Sequence, residues 1–297
     1  MSTVAPVERP LPMDSAQRGA GPYIWRFHLY HRVTHAAVIV SFFLLVITGL
    51  PLRFSCAPWA PGLMQMLGGV RMAGLLHRLG AIITFGYFGA HLAYLAFRFV
   101  KSKNKLGMFW GPDSMVPQPR DVVDFYKQIK WFLGRGPRPQ FGRFSYMEKF
   151  DYMAVFWGVG MIGVSGLMLW FPEFFGRFVP GWVFNIATII HADEALLATA
   201  FIFTIHFFNV HLRPEKFPLD AVMFTGRATV DYMEEEHPGV MANVEAHMHE
   251  APSAGQVADH PAPPPSHRGS VVAAVLGFIS LAIGLVLIGM TLWVAVC

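Results

Sequence analysis

Ile189 to Pro218 reads IIHADEALLATAFIFTIHFFNVHLRPEKFP. The stretch belongs to an apolar run over residues 183–211. Such a run is long enough to cross a hydrocarbon layer of roughly 30 Å as a helix. It also carries His191, Asp193, Glu194 and His206, and polar groups at that depth cost free energy unless they face protein or a bound group. Residues 33–53, 74–98, 151–172 and 270–296 have the same length and character. The second of these carries His77 and Arg78, whereas the last has no charged residue between Ser270 and Cys297. The chain is therefore expected to be an all-α membrane protein with five spans.

Composition agrees with that expectation. Of 297 residues, 54% are hydrophobic and 14% charged, too apolar a balance for a soluble domain. With 23 Lys and Arg against 19 Asp and Glu the net charge is only +4, so no nucleic-acid partner is indicated. The two cysteines, Cys56 and Cys297, form no C-x-x-C pair, which argues against cysteine-ligated clusters, cysteine-rich zinc sites and covalent c-type haem. A redox centre would fall to the 13 histidines.

Basic residues set the expected orientation. Four lie in the segment up to Arg32, 11 between Arg98 and Lys149, and four between Arg213 and Arg268, against four on the other side: Arg53, Arg71, Arg78 and Arg177. The N-terminus is expected in the cytoplasm and the C-terminus outside. The first apolar run is long and lacks a small-residue cleavage site, unlike a signal peptide. The expected organisation is a cytoplasmic segment 1–32, a four-helix domain 33–235 with a cytoplasmic loop 99–150, a Pro/Ala/His linker 236–269, and a fifth helix 270–297. Within the loop, the apolar spacing of Asp121 to Leu133 suits a short amphipathic helix on the membrane surface, or else a solvated loop. His237, His247, His249, His260 and His267 fall in or beside the linker. A flexible segment cannot fix metal-ligand geometry without an ordering cost.

Ligand geometry singles out the histidines within the spans. A haem b iron takes two axial imidazoles from opposite sides, so facing helices must present them at one depth. His77 and His91 are 14 residues apart in the second span, which returns the side chain to within roughly 40° after a rise of about 21 Å. His191 and His206 are 15 apart in the fourth, offset by roughly 60° after about 22 Å. Spans two and four run the same way, so His77 and His191 share the outer level. His91 and His206 share the inner one, where His35 and His211 also fall. A proton-conducting histidine chain is the competing reading. His28, His31 and His35 share a helical face, the first two at the interface. Arg32, Arg78, Arg98 and Arg213 stand where propionates would emerge, although positive-inside anchoring explains most of them. Gly80, Gly86, Gly89, Gly158, Gly160, Gly163 and Gly166 suit either a close porphyrin or small-residue helix packing.

With those residues in view, R-V-T-H-A-A and T-G-L-P-L (Arg32 to Leu52), L-L-H-R-L-G-A (Leu75 to Ala81) and the stretch from Ile189 to Pro218 resemble a known family. They resemble the di-haem cytochrome b subunits of respiratory formate dehydrogenases, Ni/Fe hydrogenases and thiosulfate reductases, closest to the branch found with multihaem c-type cytochromes. The resemblance runs over roughly residues 25 to 235. It implies a four-helix haem-binding transmembrane bundle, to which this chain adds the fifth helix. It implies His77 with His191 on an outer haem and His35 with His206 on an inner one. Two departures leave the inner pair open: His91 has no counterpart, and the spacing in the fourth span is one residue longer than the family's. His91 with His206 is therefore a rival pair, and the depths leave room for a third haem using His35 and His211.

The implied function is electron transfer in the bacterial inner membrane, between quinone or menaquinone and a partner redox subunit: a multihaem cytochrome c, an iron–sulfur protein or a molybdenum subunit. Quinol chemistry moves protons, for which Asp193 and Glu194 are candidates outside and Glu148, Asp151 and Glu215 inside. The family places its quinone near the inner haem. A membrane anchor with structural haem is the alternative. Ala273, Gly277, Ser280 and Gly284 give the fifth span small-xxx-small spacing, expected to pack against a partner subunit.

Overall fold

The computed structural model describes residues 22–214, 216, 217, 219–247 and 259–293. Glu215, His249 and residues 1–21 and 294–297 lie outside that set. Five helices are long and apolar enough to cross a membrane: Leu29–Arg53, Gly69–Lys101, Tyr146–Trp170, Trp182–Leu212 and His267–Trp293, termed here the first to fifth spans. The first four are longer than their apolar runs, because the backbone ladder continues past the lipid-matched residues. Their outward surfaces are apolar, with Leu75, Leu79, Ile82, Val164, Ile189 and Leu285 all exposed, as a lipid environment requires.

The first span packs along the second and the third along the fourth. Small residues set these approaches: a Cβ on Gly80 would lie 3.0 Å from Leu45 of the first span, and one on Gly166 2.9 Å from His191 of the fourth. The third and fourth spans are not uniformly α-helical. A π turn occupies Val159–Gly163, and two more occupy Ile202–His206 and Phe208–Leu212.

The fifth span corrects an expectation. Its buried stripe, Ala273, Gly277, Leu281, Gly284 and Leu287, packs within the chain. Gly284 lies against Phe203 and Phe207 and Gly277 against Leu219, and Trp59 Nε1 donates to the Met290 carbonyl at 3.2 Å. The small residues serve packing inside the chain rather than against a partner subunit: Gly284 makes room for two rings of the fourth span and Gly277 for Leu219 beyond its end.

One end of the bundle carries a capping layer. Strand β1 (Tyr23–Trp25) lies between β2 (Arg227–Thr229) and β3 (Pro261–Ala262), antiparallel to both. Tyr23 pairs with Thr229 on one side and Ala262 on the other. Behind the strands, Ile24, Ala228, Met233, Val240 and Val244 form a small core. Part of the segment expected to be a flexible linker is thus folded, through the helix Met241–His247 and strand β3. Val240 and Val244, one helical turn apart, anchor it. The surface segment is a helix, Pro119–Phe132, closed by a capping box between Gln118 and Asp121; Val122, Phe125, Tyr126 and Phe132 on it are exposed.

Paired charges hold the layer to the fourth span. Arg213 reaches Glu236 with two hydrogen bonds of 3.1 and 2.8 Å, Arg138 adds a third at 2.8 Å, and Lys216 pairs with Asp220 at 2.8 Å. Burial raises the Glu236 carboxyl, but Lys216, Arg213 and Arg138 outweigh it and hold the group down at about 2.

Candidate functional site

Few contacts join the first and fourth spans, and the space between the two helix pairs is a cavity of about 2950 Å³. A small-molecule pocket is typically about 300–1,000 Å³, so this one has room for more than one large group. His77 and His191 border it toward one end; His35, His91 and His206 border it toward the capping layer.

The His77 and His191 rings face each other with centroids 6.1 Å apart and planes at 63°. Two metal–imidazole bonds of about 2.0 Å, with about 1.1 Å from nitrogen to ring centre on each side, place centroids about 6 Å apart. The spacing is that of two imidazoles gripping one ion. Both rings are oriented by hydrogen bonds. The Thr48 hydroxyl donates to the Leu44 carbonyl at 2.5 Å and accepts from His77 Nδ1 at 2.8 Å. His191 Nδ1 donates at 2.9 Å to the Ile162 carbonyl, inside the π turn of the third span, where the α-helical ladder is interrupted. With Nδ1 protonated, each Nε2 keeps its lone pair for a metal. Glycine makes the approach possible: a Cβ on Gly166 would sit 2.9 Å from His191 Cε1.

Toward the capping layer, His35 lies within electrostatic reach of His206, and His206 Nδ1 is 2.9 Å from Asp151 Oδ2. His91, at the same end, is engaged differently. Its Nδ1 is 3.0 Å from the Tyr30 hydroxyl and its Nε2 2.8 Å from the Tyr152 hydroxyl, with Tyr94 stacked beside it. His211 is buried, its ring 5.0 Å from that of Phe207. The long spacing in the fourth span has a structural counterpart. A π turn accommodates one extra residue, and the turn Ile202–His206 lies between His191 and His206, so 15 residues do the work of 14.

The arginines divide. Arg78 and Arg98 border the cavity, each beside an aromatic ring, Trp170 and Tyr94 respectively. Arg213 borders it too but is committed to Glu236. Arg32 donates instead to the Phe224 carbonyl at 2.8 Å. Sequence reasoning passed over Arg26 and Arg143, which also border the cavity. Arg26 is buried, donates to the Arg143 carbonyl, and has no hydrogen-bond partner at Nη1. Burial pushes its guanidinium below the ordinary value, and Glu148 pulls the other way. The only signal for Arg26 was its place three residues before the first span. Of the carboxylates, Asp193 is exposed and pairs with Arg53 at 3.0 Å. Glu194 borders the cavity and accepts from Trp157 Nε1 at 3.3 Å. Among the described residues no three His, Cys, Asp or Glu side chains are grouped to hold a bare metal ion; an iron already held by a porphyrin needs only two.

No family model matches the chain. It is 21% identical over 218 residues to the nitrate-inducible formate dehydrogenase cytochrome b556(Fdn) subunit of Escherichia coli K12, covering 72% of this chain and 88% of that protein. The Shigella flexneri protein of the same description matches equally. The formate dehydrogenase cytochrome b556(fdo) subunit of Escherichia coli K12 is 24% identical over 174 residues, 58% of this chain and 72% of that protein.

Proposed function

From its kinship with the cytochrome b subunits of respiratory formate dehydrogenases, we propose that this membrane protein carries electrons between quinone and a partner redox subunit on two haems b. The observation that carries the reading is the His77–His191 pair: two rings 6.1 Å apart, each fixed at Nδ1. Haem, when bound, supplies one-electron chemistry, and the protein supplies orientation, burial and charge.

In this reading His77 and His191 hold the outer haem. Thr48 and the Ile162 carbonyl keep their Nε2 atoms unprotonated and aimed into the cavity. His35 and His206 hold the inner haem, which their proximity supports; His91, with both nitrogens engaged by tyrosines, is left out, and His211 packs against Phe207. Arg78 at one end, and Arg26 and Arg98 at the other, offer cations to propionates, whereas Arg143 is committed to Asp259. Glu194, facing the cavity, is the better outer group for proton exchange, whereas Asp193 is committed to Arg53. The excess of basic residues supports a bacterial inner membrane with the capping layer in the cytoplasm. The partner is a redox subunit, a reading supported by relatives that are subunits of formate dehydrogenase; the family resemblance implies one of iron–sulfur, molybdenum or multihaem cytochrome c type.

Quinol-driven haem reduction in the purified protein tests this. His206→Ala is expected to slow it at least tenfold; an unchanged rate would make the chain an anchor with structural haem.

A further inference from the structure

Of the imidazoles that border the cavity, three of those read above as haem ligands are tied at Nδ1, and they are tied to different things. His77 gives its proton to a hydroxyl and His191 to a carbonyl, both neutral; His206 gives its proton to the Asp151 carboxylate at 2.9 Å. The second carboxylate oxygen, Asp151 Oδ1, is buried and has no hydrogen-bond partner. Its charge is therefore not shared with another donor and falls on the one imidazole. Asp151 sits one turn into the third span and borders the cavity, where the low dielectric leaves that charge poorly screened.

A carboxylate accepting from a ligand imidazole makes the ring a stronger electron donor to its metal. The ferric state carries one positive charge more than the ferrous, so a fixed anion nearby stabilises it preferentially. From this asymmetry we infer that Asp151 is a positioning residue that, acting through His206, lowers the potential of the inner haem relative to the one between His77 and His191. With haem held at both levels, this contribution would favour electron movement from the inner level to the outer, one iron being oxidised as the other is reduced by a single electron, and Asp151 would act through its charge with no proton moved to or from His206. The inference rests on His206 being a ligand, as read above.

Redox titration of the purified full-length protein, followed at the visible haem bands, tests it together with the electron paramagnetic resonance of the ferric state. Asp151→Asn keeps the size and an acceptor oxygen but removes the charge. It is expected to retain both haems and to shift one of the two toward the ferrous form by about tenfold, or about 59 mV for one electron. The other haem should stay in place, and only one low-spin ferric signal should move. Asp151→Glu should return the potential toward the native value. Unmoved potentials in Asp151→Asn, with one haem lost in His206→Ala, would overturn the role of Asp151 and leave the ligand standing. Two haems retained in His206→Ala would instead remove the ligand reading itself. Loss of a haem from both Asp151 variants would make the residue a packing element and overturn the inference.

Discussion

Replacing His191 with Ala is expected to halve the b-haem content of the purified protein, leaving one haem per chain and sparing the inner one. The ring is held by the Ile162 carbonyl and faces His77 across 6.1 Å. Nothing else in the described structure offers an imidazole at that level, so no substitute ligand can take over. Gly166→Val should give the same loss although it replaces neither histidine, because its side chain would press on the His191 ring, which lies 2.9 Å from where a Cβ would stand. A close-packed interior does not yield that distance cheaply. Full haem content in both variants would show that the pair has another purpose.

The second large effect is on stability. Lys149 is buried to 1% exposure and reaches both oxygens of Asp121 at 2.8 and 3.0 Å. Asp121 also accepts from the Gln118 amide at 2.6 Å and so closes the start of the surface helix. Lys149→Ala leaves that carboxylate buried without its counter-charge, which costs about 3–5 kcal/mol. Detaching the helix Pro119–Phe132 from the third span is the cheaper response, so the variant should show rapid amide exchange there and early proteolysis, while both haems remain. Lys149→Met combined with Asp121→Asn should recover part of the loss, since no isolated charge is left. Native exchange in Lys149→Ala would mean the pair does not hold the helix.

Much of this architecture was legible in the chain because lipid imposes a coarse rule. A helix crossing a hydrocarbon layer must be apolar for about 20 residues, and all five spans obey it. For residues 121–133 the helical spacing of apolar side chains offered a surface helix beside a solvated loop, and the helix Pro119–Phe132 decides between them. What stayed hidden depended on partners distant in sequence or on backbone detail without a compositional mark. The π turn before His206 has no residue signature, yet it converts an awkward spacing of 15 into a workable one. The capping sheet joins β1 to two strands of two or three residues that lie more than 200 positions further along the chain. Val240 and Val244 were masked by the proline and alanine that follow. Arg32 read as a cavity cation, but a carbonyl at Phe224 claims it, and Arg26 read only as one more basic residue. Asp151 was legible as a carboxylate near the inner level, but not as a hydrogen-bond partner of His206.

The pyridine haemochrome of the intact purified chain, set against its protein content, tests the central claim most directly. Two b-type haems per polypeptide are predicted. An intact protein without Soret absorption would contradict the account.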